Sequence, residues 1–160
     1  MKKYLLAPWR SKYIKSLANP KDNVCILCDA VKNTNAPIIK RGKENFIIMN
    51  LYPYNTGHIL IAPYRHIGEI YELSDIEINE MMQLAKQSTK IIKKLFNPNG
   101  FNLGINMGKS AGAGFPDHIH LHVVPRWQGD ENFMSVVANT KVVSVDIKQI
   151  YKKLKKEFKK

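Results

Sequence analysis

The stretch that decides the fold reads His118-Ile119-His120-Leu121-His122-Val123-Val124 and continues as Pro125-Arg126-Trp127. Three of the five histidines of the chain alternate here with apolar residues. Because successive side chains of a strand point to opposite faces, the alternation predicts a strand over residues 118–124 with one face in a core. The other face would line up three imidazoles about 6–7 Å apart.

A row of imidazoles on one strand face suits two kinds of chemistry. It can supply three nitrogen ligands to a metal ion, or one ring nitrogen can attack an electrophile such as phosphorus and hold it covalently. The preceding segment, from Gly108 to Asp117, contains three glycines and one acidic residue. Glycines let backbone N–H groups approach an anion, so a phosphate beside a histidine nucleophile is favoured over a three-histidine metal centre. The purely structural alternatives are buried histidines satisfied by the backbone and glycines that only form turns.

Composition and charge limit the class of protein. With 160 residues, 44% hydrophobic and 24% charged, the chain predicts one domain over residues 1–160. It has no apolar run of about 18 residues and no signal-peptide pattern, so we expect a cytoplasmic protein without a membrane span. Residues 146–160 hold seven lysines against two acidic residues, within a net charge of +12. Such a run is usually a solvated helix face, but it also attracts polyanions such as nucleotides and nucleic acid.

The rest of the chain predicts an α+β domain with five mostly antiparallel strands. Ser74-Asp75-Ile76-Glu77 has the form of a capping box and opens a long helix that ends near Phe96. Asp146 caps a basic C-terminal helix over residues 146–160. Four further strands are predicted over residues 38–43, 44–50, 58–63 and 101–107. Three further predictions are an N-terminal arm or short helix over residues 1–23, a helix from Cys25 to Val31, and strand character at Val142 and Val143.

Several separated segments of the sequence resemble the histidine triad (HIT) superfamily, in its branch of diadenosine polyphosphate phosphorylases and hydrolases. The resemblance spans roughly residues 4–145 and includes the triad strand and, in order, residues 7–10, 50–58, 63–66 and 125–134. It implies a HIT-like five-stranded sheet and a homodimer that joins two sheets across an edge. It also implies cleavage of dinucleoside polyphosphates such as diadenosine tetraphosphate, with phosphate or water as acceptor and no organic cofactor.

The resemblance implies a role for each matching residue. His120 would be the nucleophile that forms a nucleotidyl-histidine at the α-phosphate, and His122 would bind the phosphate oxygens. His118 would orient the neighbouring groups or bind metal, and His58 would support the site as a fourth histidine. The resemblance also implies nucleotide-binding residues for each part of the ligand. They are Asn50 for the ribose, Ile26, Leu27, Ile48 and Leu51 for the base, and Asn106, Gly112, Gly114 and His122 for the phosphates.

The segment before the triad departs from the pattern of many relatives. They carry a serine or glutamine three or four residues before the first triad histidine, whereas this chain has Phe115 and Gly114 there. Backbone N–H groups, Lys109 or Ser110 are the candidates to replace that side chain. Lys109 can equally be an ordinary exposed loop lysine.

The two cysteines, Cys25 and Cys28, are spaced as a metal clip or a redox pair. Resemblance to zinc-binding bacterial relatives adds His66 and His118, which would complete a two-cysteine, two-histidine structural zinc site. The alternative is two packed thiols and a surface histidine.

Two other functions stay open from the sequence. A nucleoside phosphoramidase belongs to the same superfamily, although the long segment from Trp127 to Met134 argues against it. A basic module that binds nucleic acid or another partner, and that uses the fold only to hold nucleotides, would account for the +12 charge.

Overall fold

The computed structural model of the protein describes residues 25–130 and 146–159. The predicted arm over residues 1–23 and the predicted strand character at Val142 and Val143 lie outside the described residues. Within the described ranges, no helix is both long enough and apolar enough to cross a membrane.

The described chain folds into one five-stranded antiparallel sheet with three α-helices. The strand order is β1-β2-β3-β5-β4, and every neighbouring pair is antiparallel. This confirms the predicted α+β fold. The elements are α1 (Ile26–Lys32), β1 (Ile38–Arg41), β2 (Asn45–Met49), β3 (Ile59–Pro63), α2 (Asp75–Phe96), β4 (Gly100–Ile105), β5 (Leu121–Arg126) and α3 (Ile147–Glu157), with short 3₁₀ helices at Ile70–Glu72 and Lys109–Ala111.

The histidine strand starts later than its alternation predicted. β5 begins at Leu121, so His118 and His120 precede it, and it continues to Arg126. Its neighbour β3 ends at Pro63, and the last pair of that ladder is Ile61 with Leu121. Upstream of that pair, the N–H of Ile119 donates to the carbonyl of Ile67 at 2.7 Å instead. The prediction was wrong by three residues because a loop replaces the strand partner.

The alternation still separates two faces of the sheet. Ile119, Leu121 and Val123 pack in the larger core, which also contains the apolar sides of α2 and α3. His122 pairs with Leu60, which belongs to a smaller core together with Leu27 of α1. Because directly opposed residues of an antiparallel pair share a face, the histidines lie on the face away from α2 and α3.

The long helix begins as the capping box predicted. The N–H of Glu77 donates to the Ser74 hydroxyl, and the Glu77 carboxylate accepts from the N–H of Ser74 at 2.7 Å. Arg65 adds a second partner, since its Nε lies 2.7 Å from Glu77 Oε1. Hydrogen bonding from Arg65 lowers the pKa of Glu77 to about 2. The start of α2 is thereby tied to the segment that follows β3, one residue before His66.

The C-terminal helix covers one border of the sheet. Asp146 caps α3 by accepting from the N–H of Lys148, as predicted, and Ile150 and Leu154 are buried in the larger core. The Tyr151 hydroxyl donates to the carbonyl of Ile38 on the border strand β1. The lysines of α3 lie mostly on its exposed side.

Candidate active site

His120 has one ring nitrogen fixed as a donor. Its Nδ1 lies 2.8 Å from the backbone oxygen of His118. A carbonyl only accepts, so Nδ1 carries the proton and Nε2 carries the lone pair. Burial lowers the pKa of this imidazole, and only 2% of the residue is exposed. His120 is therefore a neutral imidazole with a fixed nucleophilic nitrogen.

His122 has the opposite tautomer because of a relay through His58. The N–H of Tyr54 donates to His58 Nδ1 at 3.0 Å, and Asn50 Nδ2 lies 3.2 Å from the same atom. His58 Nε2 therefore carries the proton and donates to His122 Nδ1, 3.0 Å away. The remaining nitrogen of His122, Nε2, then presents an N–H group.

Burial keeps the relay uncharged near neutral pH. Burial, followed by the neighbouring imidazoles of His122 and His120, lowers the pKa of His58 to about 3. Burial and then His120 lower the pKa of His122 to about 4. The rings of His120 and His122 are 4.9 Å apart between centroids. The pair thus places a lone pair beside an N–H donor, which suits attack on phosphorus with stabilisation of a phosphoryl oxygen.

A second cluster forms at the other end of the histidine row. His118 Nε2 lies 3.0 Å from the carbonyl oxygen of Pro63, so that nitrogen donates and Nδ1 keeps its lone pair. Nδ1 points at the two cysteine sulfurs, 3.2 Å from Cys25 Sγ and 3.5 Å from Cys28 Sγ. His66 Nδ1 lies 3.4 Å from Cys28 Sγ.

These four side chains have the donor set and spacing of a tetrahedral zinc site. One ligand atom from each of Cys25, Cys28, His66 and His118 lies within 4.8 Å of all the others. Zinc bound to sulfur at about 2.3 Å and nitrogen at about 2.0–2.1 Å would separate such atoms by about 3.5 Å. The hydrogen bond from His118 to Pro63 is the kind of support that orients a ligating imidazole. The arrangement fits a metal ion.

A groove of about 400 Å³ runs from His122 across β5 and β4. The register pairs Gly104 with His122 and Asn102 with Val124, so these residues share the histidine face. The Tyr54 ring stacks on the His58 ring at 4.9 Å and on the His122 ring at 5.8 Å. The lining consists of Tyr54, Asn102, Leu103, Gly104, Asn106, His122, Val124 and Arg126.

Comparison with known proteins agrees with this arrangement. The model of the HIT domain family matches residues 31–129, more than half of the chain. This chain belongs to the HIT domain family. The AP-4-A phosphorylase of Mycobacterium tuberculosis (strain H37Rv) is 37% identical to this HIT protein over 147 residues, covering 87% of this chain and 75% of the relative.

Two further comparisons extend the picture. The asymmetrical bis(5'-nucleosyl)-tetraphosphatase of Schizosaccharomyces pombe is 30% identical over 93 residues, 58% of this HIT protein and 50% of that enzyme. The crystal structure of a zinc-bound histidine triad family protein from Mycobacterium smegmatis has a TM-score of 0.68 and 24% identity, covering 82% of this chain and 91% of that one. The structural likeness shows the shared HIT fold. The named relatives are a phosphorylase and a hydrolase.

The structure divides the four residues implied for base binding in this HIT domain. Leu27 and Ile48 are 2% and 7% exposed and belong to the smaller core. Ile26 and Leu51 are 48% and 58% exposed. Of these four, Ile26 and Leu51 therefore offer the accessible surface. Asn50, implied for the ribose, lies beside His58 and also accepts the N–H of Tyr52 at 2.9 Å.

The glycine-rich segment from Gly108 to Asp117 lacks the serine or glutamine that many relatives carry three or four residues before the first triad histidine. Gly112 has a φ of 85°, and its N–H already donates to the carbonyl of Lys109 at 3.0 Å. The Phe115 ring lies 6.3 Å from the His120 ring, so the side chain at this position gives His120 an apolar neighbour and no hydrogen-bonding group. Lys109 and Ser110 are exposed on the short 3₁₀ helix, and Gly114 is half-buried. Their phosphate contacts stay predictions.

Sequence reasoning found Asn106 of the groove but missed Tyr54, Asn102 and Gly104. The register of β4 against β5 selects Asn102 and Gly104, and no local sequence pattern encodes that register. Tyr54 had a weaker signal, because it lies in the segment between Asn50 and His58 that already resembled the family.

Proposed function

We propose that this HIT protein is an enzyme that cleaves dinucleoside polyphosphates, with diadenosine tetraphosphate as the substrate, through a nucleotidyl-histidine at His120. The observation that carries the proposal is the pair of opposite tautomers: the His120 Nε2 lone pair beside the His122 Nε2–H. The 37% identity to an AP-4-A phosphorylase across 87% of the chain supports the substrate.

The proposed reaction has two displacements. The Nε2 of His120 forms a bond to the α-phosphorus, and the bond from that phosphorus to the bridging oxygen breaks, so that ATP leaves. The N–H of His122 stabilises the charge that develops on the phosphoryl oxygens. In the second step an oxygen of the acceptor attacks the adenylyl group, and the lone pair returns to His120.

We further propose phosphate as the acceptor, which gives ADP and ATP, whereas water would give AMP and ATP. The supporting observation is that the phosphorylase relative covers far more of this chain than the tetraphosphatase relative does. Product analysis from diadenosine tetraphosphate, with and without inorganic phosphate, separates the two reactions. AMP as the main product in saturating phosphate would exclude phosphorolysis.

His120→Ala is the direct test of the nucleophile. We expect kcat to fall by at least about 10³-fold, because the covalent route is lost. Brief incubation of the wild type should add an adenylyl group that intact-mass spectrometry detects, and the variant should lack it. Thr89→Ala, a substitution in α2 behind the sheet, is the matched control and should behave as the wild type. Undiminished turnover in His120→Ala would show that another group attacks.

A structural zinc ion is part of the proposal, held by Cys25, Cys28, His66 and His118. Bound zinc would crosslink the start of α1, the segment after β3 and the residue two positions before His120. Metal analysis after purification without chelator should find about one zinc per chain. Cys28→Ser should lower both zinc content and melting temperature. A metal-free protein that takes up no added zinc would contradict the site.

Two alternatives are distinguished by the same assays. A nucleoside phosphoramidase would cleave an adenosine phosphoramidate in preference to diadenosine tetraphosphate. A non-catalytic nucleic-acid-binding module would show salt-sensitive RNA or DNA binding with negligible turnover of either substrate. The proposed homodimer and cytoplasmic location accompany the enzyme proposal and come from the family resemblance and composition.

A further inference from the structure

We propose that the groove over β4 and β5 is the subsite for the second nucleoside of the dinucleotide, the one that leaves with the departing nucleotide. The inference rests on the proposed function. Its structural basis is the juxtaposition of Gly104, Asn102 and Tyr54 beside His122.

The order of strands gives the bound dinucleotide a direction. Asn50 and Leu51 follow β2, and His122 lies on β5, with β3 between the two strands. A ligand with its first nucleoside near Leu51 and its α-phosphate at His120 therefore extends toward β4, the strand on the other side of β5. The groove lies in that direction.

Gly104 leaves open space directly beside His122. It is directly opposite His122 in the β4–β5 register. A Cβ added there would meet no atom within 4 Å, and the backbone of Gly104 does not have the positive φ that favours glycine. The glycine is thus not required by the described fold. Because it has no side chain, the groove has a flat surface beside the N–H group of His122.

The groove has the chemistry of a nucleoside site more than of a phosphate site. The charge of Arg126 is paired with Asp130, at 2.6 Å between Nε and Oδ2. Arg126 Nη1 also donates to Asn102 Oδ1 at 2.9 Å, which leaves the Asn102 amide N–H groups to donate to a ligand. Tyr54, 41% exposed, adds an aromatic surface on which a base can stack. The volume of about 400 Å³ lies within the range of small-ligand sites.

Gly104→Val tests the subsite by filling its floor. Valine is favoured in strands, and the space above Gly104 accepts the added carbon atoms, so we expect the variant to fold. Gly100→Val is the matched control: it lies in the same strand, its added Cβ also meets no atom within 4 Å, and it is not part of the groove lining.

The two substrates to compare are diadenosine tetraphosphate and adenosine 5'-tetraphosphate, which lacks the second nucleoside and ends in a free phosphate. We expect Gly104→Val to lower the ratio of kcat/KM for the dinucleotide to kcat/KM for the mononucleotide by about tenfold, the value of one stacked base. Gly100→Val should leave the ratio unchanged. If the mononucleotide is not cleaved, its inhibition constant against the dinucleotide replaces its KM.

The outcomes separate the subsite from the proposed function. Equal effects on both ligands, or an unchanged ratio in Gly104→Val, would overturn the subsite while the enzyme proposal stands. Absence of turnover of diadenosine tetraphosphate by the wild type would overturn the enzyme proposal itself. Should Gly104→Val fail to fold, Asn102→Ala, at an exposed position of the same groove, should lower the ratio in the same direction, and an unchanged ratio there would equally overturn the subsite.

Discussion

His120 and His122 carry the same side chain, yet their free Nε2 atoms differ in protonation: it carries a lone pair in His120 and an N–H in His122. His120 is oriented by a carbonyl two residues earlier in the chain, and His122 by His58, the residue before β3. Their alternating spacing in the sequence was enough to predict both as candidate site residues. The tautomer of His122 depends on the N–H of Tyr54, which bonds to His58 through a turn whose geometry the sequence does not specify.

The relay predicts that the protein loses stability in acid. His58 and His122 have pKa values of about 3 and about 4 in the folded state, below the ordinary 6.5. Between pH 6.5 and about 3, the unfolded chain therefore binds more protons than the folded chain does. The free energy of unfolding should fall as the pH drops through this window, and the destabilising effect should be absent above it.

Urea unfolding at pH 7.0, 5.5 and 4.5 measures this loss. His58→Gln removes one of the two titrating groups and should show a shallower decline than the wild type. The difference between the two proteins removes the contributions of the other acid-sensitive groups. Parallel declines would mean that the relay does not titrate as its burial indicates.

The sequence predicted the side chains that can carry chemistry better than it predicted their surroundings. The three histidines of residues 118–122 and the Cys25–Cys28 pair stand out by residue type and spacing, whereas His58 and His66 were predicted from the family resemblance. Leu27 and Ile26 are adjacent, and only the helix phase of α1 decides that the first is buried and the second exposed. That phase is set by packing against β1 and β2, which local sequence does not determine.

The element that sequence described best was α2. Its hydroxyl cap, its glutamate three residues later and its left-handed C-terminal Asn97 are all local signals. The sequence predicted β5 less well, because the ladder with β3 stops at the Ile61–Leu121 pair and Ile119 bonds to Ile67 of a loop instead. Local signals such as helix caps could be predicted from the sequence, whereas the extent of strand pairing between distant segments could not.

Ser74→Ala should destabilise the fold by about 1 kcal/mol, because the N–H groups at the start of α2 lose their acceptor and Glu77 loses one of its donors. Equilibrium urea unfolding gives the change, with Ser110→Ala on the exposed 3₁₀ helix as the control. A cost below about 0.3 kcal/mol would mean that the bond from Arg65 to Glu77 holds the helix start without the serine.

For the whole molecule, the two borders of the sheet differ. On β1, the carbonyl of Ile38 accepts from Tyr151 of α3. On β4, Asn102, Leu103 and Gly104 are exposed, and Leu103 is 47% exposed. Among residues 25–130 and 146–159, no strand pairs with the outer side of β4, and a strand border with an exposed apolar side chain favours pairing with a second chain. We therefore place the proposed dimer contact at β4.

Leu103→Asp should shift the protein toward the monomer, because a charge at the β4 border opposes pairing of two sheets. Sedimentation equilibrium over a range of concentrations measures the shift. Tyr71→Asp, a residue 82% exposed and distant in sequence from β4, is the control and should leave the mass unchanged. A wild type that is monomeric at all concentrations would exclude the dimer.

The basic surface of α3 lies behind the sheet, because Ile150 and Leu154 pack in the larger core, away from the histidines. Lys152→Glu with Lys156→Glu should therefore weaken any salt-dependent binding of polyanions and reduce its salt slope by about 1 for each lysine that contacts a phosphate. Fluorescence titration with single-stranded RNA measures both. Turnover of diadenosine tetraphosphate should be unchanged, and a fall in turnover would link this surface to the histidine face of the sheet.

The two sides of the histidine row differ, with Leu51 on one side and Gly104 on the other, and this difference matters for a symmetric dinucleotide. In the proposed reaction, diadenosine tetraphosphate can bind in two orientations, and both would place an equivalent phosphorus at His120, so either orientation would be productive. A dinucleotide with two different bases loses this equivalence. It should yield two product pairs, whose ratio reports how differently the exposed Leu51 side and the Gly104 side rank the same two bases.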